Sequence, residues 1–139
     1  MYATKQNMID QYGMQPLIEL THRVEPYTEA IVDNVLNMAL SNADALINSY
    51  ISTRYQLPVS NTPEVLRRHA CIIAYYDLHR GRRPDEARKD YEDTLSFLKS
   101  VSRGDARLDI AGIEAASSPA EARVEGPIRV FNRDSLGDY

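Results

Sequence analysis

Apolar and polar positions along the chain fall into helical stretches followed by a long polar segment. The densest apolar stretch runs from Thr62 to Arg80, TPEVLRRHACIIAYYDLHR. Every residue from Ala70 to Tyr76 is apolar or aromatic, whereas a surface helix shows a single apolar stripe. The pattern predicts a central buried helix. Thr62 offers an N-cap, Pro63 suits the first helical position, and Glu64 complements the positive end of the helix dipole. Gly81 reads as the stop. Arg67, Arg68 and His69 on one side, and Asp77, His79 and Arg80 on the other, predict solvated ends.

The flanking stretches supply helices to pack around it. Thr4 caps a short helix through Tyr12, with Met8, Ile9 and Tyr12 on one face and Gly13 at its end. Pro16 opens a brief turn, PLIELT, whose Leu17, Ile18 and Leu20 face the core, and His22 to Pro26 connects onward. Pro26 or Thr28 opens the longest helix, to about Thr53, with the stripe Val32, Val35, Leu36, Ala39, Ala43, Leu46, Ile47 and Tyr50. Ala39 and Ala43 allow another helix to approach closely. Pro84, with Asp85 and Glu86, opens a last helix whose stripe is Ala87, Tyr91, Leu95, Leu98 and Val101, closed by Gly104. Short connections between such helices predict an all-α fold, a small antiparallel bundle around the central helix.

Residues 1–104 read as this helical body and residues 105–139 as an extended C-terminal arm. Asp105 to Gly126 is rich in Ala, Ser, Glu and Asp, and SSPAEA reads as a linker. Ile128 and Val130 alternate with Arg129 at the period of a short β-strand. The combination suits a tether whose strand meets a partner through Ile128, Val130 and Phe131, with Arg129 and Arg133 pairing with acids and Tyr139 packing at the end.

Composition narrows the classes. With 139 residues one domain is the default, and a chain of this size buries roughly 68–70% of its unfolded surface. The net charge of −4 is uneven: residues 1–61 carry 3 basic and 6 acidic groups, 62–103 carry 9 and 7, and 104–139 carry 4 and 7. A protein that grips duplex DNA carries a dominant basic field, which this one lacks. The one local excess is Arg80, Arg82, Arg83, Arg88 and Lys89. It reads either as a contact patch or as a solvated loop with its charges paired to Asp85, Glu86 and Asp90. Cys71 is the only cysteine, so no internal disulfide or thiolate cluster forms and a reducing interior fits. No apolar run approaches the ~20 residues that span a bilayer. The N-terminal MYATKQNMID lacks the build of a signal peptide, so a soluble protein, cytoplasmic at synthesis and without membrane contact, is expected.

Candidate chemistry is sparse. Phosphate-loop, GxSxG, HExxH and CxxC motifs are absent. His69 and His79 lie nearly three turns apart, roughly 15 Å along a helix, too far for one metal. His69 and Cys71 are two residues apart and face different sides. No cofactor, metal or catalytic residue is expected. The Tyr75–Tyr76 pair and Tyr91 read as core, or as a platform for stacking bases.

Four segments resemble a known family: MYAT…MIDQYG…LIELT, ADALINSYISTRYQLP, LRRHACIIAYYDLHR and RVFNRDSLGDY. Together they are similar to the Mu-like phage and prophage virion proteins, placed among head–tail connector, or head-completion, adaptors. The most specific piece is Arg54-Tyr55-x-Leu57-Pro58, and residues 105–125 carry the resemblance least. The resemblance implies a non-enzymatic virion protein, made in the host cytoplasm. Its copies form a homo-oligomeric ring, typically dodecameric, beneath the portal protein. The ring extends a channel through which DNA passes without specific binding, and docks a tail or tail-terminator (stopper) protein. The arm reaches a neighbour or the portal. The rival readings are a small DNA-binding regulator using the Arg80–Lys89 patch and, third, a small enzyme.

Overall fold

The computed structural model describes residues 1–23, 29–59 and 61–110. Five helices follow in order: α1 (Lys5–Tyr12), α2 (Met14–Thr21), α3 (Asp33–Ile51), α4 (Glu64–Leu78) and α5 (Asp85–Arg103). The all-α architecture matches the expectation; the expected strand at Ile128–Val130 lies outside the described residues. α4 packs against α3, α5 and α1, and α3–α4 is the most extensive helix pair. Ala70, Cys71, Ile72, Ile73 and Ala74 are all buried, as are Leu66 and Leu78. Small side chains on both members of the pair, Ala39 and Ala43 on α3 and Ala70 and Ala74 on α4, are fully or almost fully buried and keep the helices close.

Several boundaries differ from expectation for identifiable reasons. Thr62 does not cap α4: Pro63 occupies the cap position, and its carbonyl accepts the Arg67 amide at 3.1 Å. Pro84 does the same for α5, accepting from Arg88 at 3.1 Å. In both cases the ring fixes φ near its helical value while ψ stays extended, so proline starts the helix from one position earlier. Gly81 does not stop α4, which ends at Leu78 with His79 in extended conformation. α3 begins at Asp33, later than Pro26 or Thr28, and both of those residues lie outside the described set. The PLIELT turn belongs to a full two-turn helix that starts at Met14, directly after Gly13 at φ 90°.

Buried polar groups explain how the connectors are fixed. Thr21 is fully buried; its hydroxyl donates to the Leu17 carbonyl at 2.8 Å and accepts from the Val32 amide at 3.0 Å. One side chain thereby closes α2 and seats the start of α3. Ahead of α1, the Tyr2 amide donates to Asp44 at 2.9 Å and its hydroxyl bonds Asn48, pinning the N-terminal residues along α3. The Thr4 cap is present as expected, in a reciprocal box with Asn7.

Candidate interaction surface

The basic residues singled out in the sequence run from the connector after α4 into the first turns of α5, and part of the cluster serves the α4 backbone. A helix leaves its last carbonyls without intrahelical partners. The Tyr75 carbonyl accepts from His79 Nδ1 at 2.8 Å, and the Tyr76 carbonyl accepts from Arg83 Nε at 3.2 Å. The Leu78 carbonyl accepts from Arg23 Nη2 at 3.2 Å, across 55 residues of chain. Guanidinium groups at this end also complement the negative pole of the helix dipole. Burial, reinforced by the nearby Arg80 charge, holds the Arg23 pKa below the ordinary arginine value, with Asp77 opposing. The five-residue cluster is thus divided. Arg83 is built into the fold, Arg88 pairs with Asp85 at 3.1 Å within the first turn of α5, and Arg80, Arg82 and Lys89 are exposed.

The tyrosines are spent within the fold. Tyr76 stacks on Tyr91 at 4.0 Å and 8°, and the Arg83 guanidinium lies 4.3 Å from the same ring centre. Two groups this close leave that ring no open face for a base. Tyr75 stacks on Tyr12 at 3.8 Å and 6°, with the His79 ring at its edge. The Tyr75–Tyr76 pair therefore ties α4 to α1 on one side and to α5 on the other.

His69 bonds Thr94 Oγ1 through Nδ1 at 2.8 Å and stacks on Phe97 at 4.6 Å. Burial, with the Arg68 charge second, holds its pKa below the usual histidine value. Thr94 is fully buried on α5, where Tyr91 and Leu95 were the expected core positions; those two are only half-buried. Cys71 borders a cleft of about 430 Å³ with Asn7, Asp10, Gln11, Glu64, Arg67 and Arg68, but is only 1% exposed. Burial pushes its thiol up to about 11, so the reactive thiolate is scarce near neutral pH. Among the described residues, no three His, Cys, Asp or Glu side chains gather as a metal site. No described helix is long and apolar enough to cross a membrane.

Beyond α5 the core continues into the stretch expected as linker. Gly104 adopts φ 87°, and the amides of Asp105 and Ala106 turn back to the Ser100 carbonyl at 2.8 and 3.2 Å. Leu108 and Ile110 are buried, with Asp109 exposed between them. The Leu108 amide donates to the Tyr55 hydroxyl at 2.8 Å. The L-x-I alternation was the signal available in the sequence; the polar composition around it masked it. Ile128, Arg129, Val130, Phe131, Arg133 and Tyr139 lie outside the described residues.

These features define a class, a small helical protein whose described residues form five helices, with an apolar strap laid back over the core after α5. The family model described as Bacteriophage Mu, Gp36 matches residues 2–126, and the chain belongs to that family of phage proteins. It is 34% identical over 136 residues to the Mu-like prophage FluMu protein gp36 of Haemophilus influenzae, covering 97% of this chain and 95% of that one. It is 29% identical over 138 residues to Gene product J of Escherichia phage Mu, covering 98% and 97% respectively.

Proposed function

We propose that this protein is a structural head–tail connector adaptor of a tailed phage. Copies assemble as a ring beneath the portal, extend the DNA channel and present a docking surface for a tail or stopper protein. The observation that carries the reading is the family match over residues 2–126, which spans the helical body and enters the segment beyond it. Three features support it. The core is closed around α4, the chain continues past Ile110 through residues 111–139, and the net charge of −4 favours a duplex sliding past over one that binds. The ring contact would be heterologous, one face meeting a different face of the next copy. In this reading the protein performs no reaction and works as part of the virion. The DNA-binding alternative is weakened by the use of Arg83 and Arg23 as caps of α4.

Deleting residues 127–139 tests the reading. The expected outcome is a helical body with unchanged circular dichroism and filled heads that fail to retain the adaptor or to join tails, seen by electron microscopy. Fully tailed, infectious particles would remove the arm from the mechanism, and a collapsed helical signal would show that it belongs to the core.

A further inference from the structure

The adaptor reading alone gives no task to the segment most specific to the family resemblance, Arg54-Tyr55-x-Leu57-Pro58. Its surroundings supply one. Tyr55 is 6% exposed, and its amide holds to the Ile51 carbonyl at 2.9 Å, so the ring continues the last turn of α3 into the core. The amide of Leu108 is buried in a segment with no helix or sheet to pair it, and a buried amide requires an acceptor. The Tyr55 hydroxyl is that acceptor. Two residues earlier, Thr53 Oγ1 reaches the Ser102 carbonyl at 3.4 Å, and the Arg54 guanidinium packs against Gly104 so closely that a Cβ there would overlap it. Gly104 itself sits at a positive φ, which reverses the chain out of α5 towards Tyr55. The end of α3 thus grips both the turn after α5 and the strap that follows.

We propose that Tyr55, supported by Arg54 and Gly104, is a positioning residue for the C-terminal arm. By holding residues 105–110 on the core, it fixes the point on the body from which residues 111–139 depart. Each copy in a ring then launches its arm from the same place, so every arm faces the same site on its partner. The inference rests on the adaptor reading for the arm's use, while the clamp itself is tested without it.

The test is Tyr55→Phe in the full chain, which keeps the ring and removes only the acceptor. Hydrogen exchange at the Leu108 amide should become roughly tenfold faster or more, the scale of one lost hydrogen bond, while amides of α3, α4 and α5 keep their protection. Spin labels at Met38→Cys and Asp109→Cys, both exposed positions, should give one narrow distance in the parent and a broadened distribution with Tyr55→Phe. Leu108→Ala, which loosens the strap from the other side with Tyr55 intact, should reproduce the broadening. In particles, Tyr55→Phe should lower adaptor retention with the body still folded. Unchanged Leu108 protection and an unchanged distance would overturn the proposal. So would a uniform loss of protection across the helices, since Tyr55 would then be a general core residue. Should the 127–139 deletion leave fully tailed particles, the arm drops out of the mechanism, and exchange and label distances still decide the clamp.

Discussion

Replacing Ile73 with alanine probes whether α4 is the centre of the fold. Ile73 is 4% exposed and lies between Ala70, Cys71 and Ala74, all at 1% or less, so the removed atoms face protein on nearly every side. The substitution deletes three carbons; at about 0.8 kcal/mol for each buried group, the transfer contribution is about 2.4 kcal/mol. A cavity that fails to collapse adds to this, and the helices around α4 are held by the Tyr12–Tyr75 and Tyr76–Tyr91 stacks, which resist collapse. The expected loss is therefore in the upper part of the roughly 2–5 kcal/mol seen for such truncations. Against a domain stability of about 5–15 kcal/mol, that is a large fraction. With a urea slope of about 1–3 kcal/mol per molar, the midpoint followed by circular dichroism should fall by about 1–5 M at unchanged slope. Met38→Ala is the control, because Met38 is 66% exposed on α3 and its removal should change stability by less than about 0.5 kcal/mol. Equal midpoints for Ile73→Ala and the parent would refute the placement of α4 at the centre.

Two further outcomes follow from buried titratable groups. His69 has a depressed pKa in the folded state, so folding favours its neutral form; its contribution is complete above the unfolded value of about 6.5 and is lost as pH falls through the lower folded pKa. Melting temperature should therefore drop between about pH 7.5 and pH 5, and His69→Gln should flatten that slope; an unaltered slope would remove His69 as its source. Cys71, with its thiol raised by burial, should resist thiol reagents in the native protein and react once urea unfolds it, so rapid stoichiometric labelling without denaturant would contradict its burial.

The local pattern was enough to place α1, α3, α4 and α5 and to say which of them is central, but not to show α2 as a full helix or to fix where α3 begins and α4 ends. A helix apolar on every side has no stable place except the interior, so the run Ala70–Tyr76 specified the position of α4 without reference to any partner. The acidic first turns of α4 and α5, the Thr4 cap and the terminal Gly104 were equally legible, because each acts within a few residues. The tertiary structure decided what lay across long separations. The buried face of α3 takes in Leu40 and Ile51, leaving Val35, Leu46 and Tyr50 at its margins, because helix rotation is set by the packed neighbour and several faces of that sequence are apolar enough to serve. Thr94 is core because His69, 25 residues away, supplies its hydrogen bond. Arg83 caps α4 where composition offered a contact patch or a solvated loop, and Arg23 bonds the Leu78 carbonyl from 55 residues earlier. Tyr55 holds Leu108 across 53 residues, turning the start of an apparently polar linker into part of the body. A buried polar group must be satisfied, but which distant group satisfies it depends on where packing brings the two segments together, and no local pattern encodes that.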